Sequence, residues 1–382
     1  MGRTVMVLGA GLGGLVVAET LRKLLPAEDR VVVVERAEQH FFPPSLLWLM
    51  VGERRPEQFT RSLGRLAARG VALRYGCVTQ IDPARRTVIV DGQSLTADAV
   101  VIALGAEYAP ETIPGLAEGG LNFYTLAGAI ATREALAGFK GGRICILTAA
   151  PLYKCPAAPY EAALLVEAYL QKHALRDQTT LDFYAAEPQP MPVVGPAALA
   201  IGDLLAARGI AYHPAHQVTT VDAALRQLSF SNGATAEYDL LLYVPPHRAP
   251  AVVIDAGMTN AAGWIPVDKH TLQTAFDGVF AIGDVTTIPL AMGKPLPKAG
   301  VFAHGQAETV AHNIAQAWTG RGEAQRYQGR GMCFIEAGFG RAGIGKGNFY
   351  AEPLPKVDLQ PPSRFWHAGK WLYEKYWLYR RF

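Results

Sequence analysis

The first 35 residues leave this chain little choice of fold. Thr4 to Leu8 is an apolar, β-rich run that reads as a buried strand. It enters Gly9-Ala10-Gly11-Leu12-Gly13-Gly14, then an apolar helical pattern to about Leu25, then a second buried strand, Val31 to Val34, that ends at Glu35. Strand, GxGxxG, helix, strand and acid in this order specify a parallel βαβ unit with a dinucleotide-binding turn. Gly9 permits the turn, Gly11 admits a pyrophosphate, and Gly14 packs helix on strand. Glu35 is placed to accept from a ribose 2′-hydroxyl. The motif alone is weak evidence, and the full βαβ context carries it.

A second unit of similar plan is centred on Gly142 to Leu165. A buried strand (Arg143 to Leu147) meets a turn and a helix of roughly Tyr160 to Lys172. This turn has no glycine and offers Pro151, Lys154, Cys155, Pro156 and Pro159 instead. Proline has no N–H to donate, and side chains block close approach of a phosphate to the backbone. The turn is therefore a poor dinucleotide cradle, and it presents a cysteine at a helix entrance.

The rest of the pattern fits around these two units. Val71 to Val78 and Thr87 to Val90 read as strands of a small antiparallel insertion with its turn at Asp91-Gly92. Ala99 to Ala106 is a buried strand ending in a turn at Gly105, and Glu107 to Gly120 is a Pro- and Gly-rich crossover. A helix is expected over Ala129 to Phe139. Leu181 to Ala185 and Ala211 to His213 bracket another, Asn232-Gly233 marks a hairpin, and Asp239 to Val244 closes the second unit. Phe276 to Val285 then delivers Gly283-Asp284 to a turn, where the carboxylate is able to accept from a ribityl hydroxyl. The first unit thus resumes after the second. Its next helix, about Phe302 to Trp318, starts with a partial positive charge suited to a reduced, anionic flavin. The expected division is 1–110 and 246–320 for the first unit, 111–245 for the second, and 321–382 for a C-terminal segment. The fold class is α/β, with two Rossmann-like dinucleotide-binding domains of the disulfide-oxidoreductase type and an aromatic, amphipathic C-terminal segment.

Composition excludes several functions. A net charge of +3 is too small for a nucleic-acid partner. No apolar run reaches the ~18 residues of a membrane span, and the N-terminus enters a strand directly, with no signal peptide. Cys77, Cys145, Cys155 and Cys333 show no CxxC spacing, so no metal site is expected. Cys145 alternates with Ile144 and Ile146 and reads as core, and Cys77 reads as packing. His40 to Met50 is uncharged and aromatic, either a packing loop or a pocket wall. The tail from Arg364 to Phe382 carries Trp366, Trp371, Tyr373, Tyr376, Trp377 and Tyr379 among basic residues. It reads either as a membrane-interface helix or as a helix docked on its own domain.

Gly9 to Gly14 with Glu35, AIGDVT at 281–286, LPKAG at 296–300, KCPAAPYEAA at 154–163 and MCFIEAG at 332–338 together resemble the sulfide:quinone oxidoreductases. They also resemble the related flavoprotein subunit of flavocytochrome c sulfide dehydrogenase. The likeness runs over nearly the whole chain, and the two Cys segments are its specific part. It implies FAD, held by Gly9, Gly11, Gly14, Glu35, Gly105, Gly283 and Asp284, with Lys298 near the pyrimidine end. The flavin is expected to be non-covalent, because residues 36–50 lack the attachment cysteine. Cys155 and Cys333 are implied as a redox pair on one flavin face. Phe334 and Lys370 are implied on the quinone side. A third family cysteine and nearby histidines are replaced by Tyr124, Gly128 and Pro192.

The mechanism expected from these parts begins with sulfide attacking a Cys155–Cys333 disulfide or its sulfur-bridged form. One cysteine leaves as a persulfide and the other as a thiolate, and electrons pass through FAD to a membrane quinone. Lys154 and the start of the following helix are expected to favour the thiolate. Glu161 is either a proton relay or a solvated helix carboxylate. The alternatives are a cytochrome c acceptor and NAD(P)H:quinone chemistry. The expected location is peripheral, on the cytoplasmic membrane, and the oligomeric state stays open, a homo-oligomer among the outcomes.

Overall fold

The computed structural model describes residues 2–195 and 197–382. The chain opens with Thr4–Leu8 (β1), Leu12–Leu24 (α1) and Arg30–Glu35 (β2), followed by Ala72–Tyr75 (β3) and Ala99–Ile102 (β4). β1 pairs in parallel with β2 on one side and β4 on the other, and β3 extends the sheet beyond β2. Side chains of β1 alternate between two cores. Val5 and Val7 join α1 on one face, while Met6 and Leu8 meet Val88 and Val90 of a small antiparallel sheet on the other. Burial on both faces is why β1 is apolar from Val5 to Leu8.

The chain then builds a second parallel sheet. Leu126–Gly138 (α2) leads to Gly142–Thr148 (β5), Ala158–Lys172 (α3), Thr179–Ala185 (β6), Ala211–His213 (β7) and Leu240–Val244 (β8). β5 lies between β8 and β6. Val279–Ala281 (β9) returns to the first sheet beside β4, giving the order β9-β4-β1-β2-β3. Gly300–Thr319 (α4) packs against α1 at glycines: a Cβ on Gly13 would lie 3.4 Å from the Ala303 Cβ. The last segment is an antiparallel sheet of Arg330–Glu336 (β10), Ala342–Asn348 (β11) and Lys356–Ser363 (β12), followed by Arg364–Arg380 (α5). The Ser363 hydroxyl caps α5 by accepting the Trp366 N–H at 3.3 Å.

Several local expectations change. Val71 to Val78 is not one strand of the insertion. Gly76, at φ +154°, breaks it, so Ala72–Tyr75 joins the main sheet and Val78–Asp82 begins the antiparallel one. α2 starts three residues earlier than expected, because the Thr125 hydroxyl accepts the Gly128 N–H at 2.9 Å. Cys77 is exposed rather than packed, whereas Cys145 is buried and its thiol is pushed up to about 12, chiefly by burial. His40 to Met50 packs in the core as a short strand and a helix.

The tail helix α5 is amphipathic in an unusual sense. Its buried face carries Lys370, Glu374, Trp377 and Leu378, while Phe365, Leu372, Tyr376 and Tyr379 stand exposed. The Glu374 carboxylate accepts from Ser45 Oγ at 2.6 Å and Arg54 Nε at 3.1 Å, and Trp377 Nε1 donates to His40 Nε2 at 3.3 Å. The helix is therefore docked on its own chain and also presents an aromatic stripe outward. No helix among the described residues is long and apolar enough to cross a membrane.

Candidate active site

The turn between β1 and α1 has the form of a phosphate cradle. Gly9 sits at φ +99°, and a Cβ there would come 2.6 Å from the Ala103 carbonyl oxygen. A Cβ on Gly14 would come 1.9 Å from the Gly9 carbonyl oxygen, so both positions require glycine. In front of Gly11 the space is open, and α1 begins there with no side-chain cap and no acidic residue in its first turn. Its first N–H groups are left to meet an anion. Glu35 accepts the Ala10 N–H at 2.7 Å and the Ala37 N–H at 3.0 Å, which ties the acid to the turn. A carboxylate has acceptor capacity beyond two bonds, so a ribose hydroxyl can still be received.

On the same sheet, Gly105 and Gly283 adopt φ +71° and +73° at the turns after β4 and β9. The Asp284 Oδ1 atom is buried with no hydrogen-bond partner. Such an atom is costly unless a ligand supplies a donor. A dinucleotide with a polyol chain fits both the cradle and this orphaned acceptor.

Lys298, implied near the pyrimidine end of the flavin, is held among backbone carbonyls. Its ammonium donates to the carbonyls of Asp284 (2.6 Å) and Thr286 (2.9 Å) and lies 3.3 Å from the centre of the Trp264 ring. Burial draws the amine down to about 7, opposed by Asp284. Its backbone carbonyl accepts the Cys155 N–H at 2.6 Å. One residue thus holds both the Asp284 turn and the Cys155 turn.

Cys155 occupies a left-handed conformation, φ +52°, just before α3. Its carbonyl accepts from the Tyr124 hydroxyl at 3.2 Å and from the Ala158 N–H at 2.9 Å. Its side chain is within hydrogen-bonding reach of Cys333 on β10, and both are free thiols. Residues far apart in sequence are thereby brought into one pair. The bond with Cys333, then burial, hold the Cys155 thiol well above its usual range, with Glu161 adding and Lys370 opposing. Lys154, expected to favour the thiolate, lies against the Tyr108 ring at 4.6 Å, and although burial disfavours its ammonium, Tyr108, Asp284 and Cys155 hold it above its ordinary range.

Behind the thiols runs a buried chain of charges. Glu161 is not a solvated carboxylate: it is 3% exposed and accepts from Lys370 Nζ at 2.6 Å and from the Glu336 N–H at 3.0 Å. Burial pushes its carboxyl up, and these bonds work against that shift. Burial disfavours the Lys370 ammonium, but Glu161 and Glu336 hold it above its ordinary range. Glu336 bonds in turn to His367 Nδ1 at 3.1 Å, which raises the imidazole. Lys370 also lies 4.9 Å from the Trp48 ring. Phe334 points toward α5, where a Cβ on Gly369 would meet its ring at 3.3 Å.

Glu336, His367 and Tyr124 escaped the reading of the sequence as site residues. An acid at the end of the apolar run Cys333-Phe334-Ile335 was the available signal for Glu336. Glu187 was missed as well. It follows β6 as Glu35 ends β2, but it accepts from the hydroxyls of Thr148 (2.8 Å), Tyr153 (2.5 Å) and Tyr160 (2.9 Å). The acid that would serve a second dinucleotide is occupied by the chain itself.

A thiol pair set beside a dinucleotide cradle is the equipment of an oxidoreductase that moves electrons between sulfur and a bound dinucleotide. In agreement, the model of the family described as pyridine nucleotide-disulphide oxidoreductase matches residues 3–151 and 162–317, and the chain belongs to that family. It is similar to a mitochondrial sulfide:quinone oxidoreductase of Mus musculus, 28% identical over 92% of this chain and 79% of the relative. It is also similar to a sulfide-quinone reductase of Aquifex aeolicus, 26% identical over 100% of this chain and 91% of the relative. The crystal structure of the Aquifex aeolicus sulfide:quinone oxidoreductase shares the fold, with a TM-score of 0.89 at 24% identity, covering 100% of this chain and 91% of that one.

Proposed function

We propose that this chain oxidises sulfide through Cys155 and Cys333 and delivers the electrons to a membrane quinone. The observation that carries this reading is the pairing of the two thiols beside the turn that Lys298 shares with Asp284. Bound FAD, held non-covalently at Gly9, Gly11, Gly14, Glu35, Gly105 and Asp284, supplies a two-electron acceptor between the thiols and the quinone.

In the oxidised pair, HS⁻ attacks one sulfur, the disulfide bond breaks, and the products are a cysteine persulfide and a cysteine thiolate. A second sulfide takes the outer sulfur and leaves two reduced cysteines. Their reoxidation to the disulfide releases two electrons and two protons. Lys370 favours thiolate at the pair, and Glu161, in contact with Lys370, accepts a proton there. Glu336 and His367 continue this route toward solvent, since His367 is half-buried. Quinone reduction consumes two electrons and two protons, so a route of this kind serves both halves of the reaction. Phe334 and the exposed aromatic stripe of α5 suit an apolar quinone and the lipid surface that holds it.

The test is anaerobic. Micromolar sulfide should bleach the flavin absorbance of the purified protein, and a short-chain quinone should restore it. Cys333→Ser should abolish bleaching by sulfide while leaving the flavin bound. An undiminished rate in that variant sinks the two-sulfur scheme. Bleaching that only cytochrome c reverses would replace the quinone as acceptor.

A further inference from the structure

A cavity of about 230 Å³ lies where the C-terminal end of α1 meets the segment Leu63–Arg69 and the end of α5. Its polar lining is Arg22, Lys23, Arg69, Arg380 and a single acid, Glu19, over a buried floor of Leu66 and Val71. Arg22 is accounted for, because it donates to the carbonyls of Leu25 and Asp29 and so closes the helix end. The other cations crowd a single partner. Lys23 (2.7 Å), Arg69 (3.5 Å), Arg380 (3.7 Å) and Arg381 all converge on the one Glu19 carboxylate. Burial works against ionisation of Glu19, yet its bonds from Lys23 and Arg381 hold the carboxyl below its usual range.

Four cations sharing one anion repel one another, and the helix dipole at the end of α1 explains only those in its own last turn. Arg69 and Arg380 come from other elements. The Arg69 guanidinium donates to the Arg380 carbonyl at 2.7 Å, which ties the Arg69 side chain to the end of α5. Arg380 adjoins Tyr379 and follows Tyr376 by about one turn, and both tyrosines belong to the exposed stripe of α5. A concave, cationic site with an apolar floor is thus continuous with an exposed aromatic face.

We infer that this pocket receives the phosphate of an anionic phospholipid headgroup. Arg69, Arg380 and Lys23 contact the phosphate oxygens, and the floor of Leu66 and Val71 takes the glycerol carbons. The aromatic stripe of α5 lies in the interface beside it. The inference rests on the reading of α5 as a lipid-facing helix and adds a headgroup preference to it.

The experiment uses the FAD-loaded protein and co-sedimentation with two vesicle types, phosphatidylcholine alone and phosphatidylcholine containing phosphatidylglycerol. Phosphatidylglycerol should strengthen binding, and the two arginines alone should supply roughly 30-fold of that gain. Arg69→Gln with Arg380→Gln should remove that roughly 30-fold share, and Arg69→Lys with Arg380→Lys should keep most of it. Activity with a soluble short-chain quinone should be unchanged in both, which establishes that the variants fold. A control pair elsewhere, Arg85→Gln with Arg226→Gln, should retain the gain, and an equal loss in the control overturns the pocket in favour of general surface charge. Equal binding to both vesicle types also overturns the pocket while leaving the α5 reading intact. Absence of binding to either vesicle overturns both readings. Inorganic phosphate that protects the protein thermally, without any vesicle preference, assigns the site to a free anion and overturns the lipid assignment.

Discussion

At the scale of single residues, the buried titratable groups set the behaviour with pH. His40 is 6% exposed, with Nδ1–H donating to the Ala10 carbonyl at 3.1 Å and Nε2 accepting from Trp377. Burial lowers its pKa from 6.5 to about 4, opposed by the Ala10 bond. The unfolded chain therefore takes up the proton first as pH falls. The contribution of neutral His40 is complete above the unfolded value and is lost as pH falls toward 4, about 3 kcal/mol in all. Urea unfolding at pH 7, 5.5 and 4 should show this loss, and His40→Gln, which keeps a donor and an acceptor, should flatten it. The same scale shows what the sequence conceals. Gly9, Gly11 and Gly14 declare themselves because their reason is local: a turn and a close backbone approach. Glu161 does not, because what decides between a solvated and a buried carboxylate is Lys370, 209 positions away.

At the scale of elements, α5 is the least legible part of the chain. Its buried stripe sets Lys370 and Glu374 beside Trp377 and Leu378 while its exposed stripe is aromatic, so amphipathicity alone does not say which face turns inward. The charges are tolerated inside because each meets a partner supplied by another element: Glu161 from α3 for Lys370, Arg54 and Ser45 for Glu374. Removing one member should leave its partner uncompensated. Glu374→Ala should cost about 3–5 kcal/mol in chemical denaturation, whereas Tyr376→Ser on the exposed stripe should stay within about 0.5 kcal/mol. Comparable losses for the two would mean that the helix docks through its aromatic side. The helices and strands near the glycine turn were legible by contrast, since one face or both meet a continuous apolar core. β3 was misassigned for a local reason: Gly76 turns the chain out of one sheet and into another, and an unbroken run of strand-forming residues on either side hides the change.

At the scale of the molecule, two parallel sheets of the same plan have diverged at the same point. The first keeps its glycines and leaves α1 open to an anion. The second fills the corresponding turn with prolines, Lys154 and Cys155, and satisfies Glu187 with three hydroxyls of its own. NADH should therefore leave the flavin oxidised in a stopped-flow experiment at concentrations where sulfide reduces it. Bleaching by NADH at a comparable rate would restore the nicotinamide reading of the second sheet. The return of the chain from the second sheet to the first was readable from the order of motifs, and the meeting of β10 with the Cys155 turn was not, because only the packed molecule brings them together. Lys298 gives that meeting a further property. Its backbone fixes the peptide of Cys155, and its side chain fixes the turn of Asp284. Two turns far apart in sequence are thereby registered to one residue. Sliding one sheet past the other therefore has to break one of these bonds before the two turns can part.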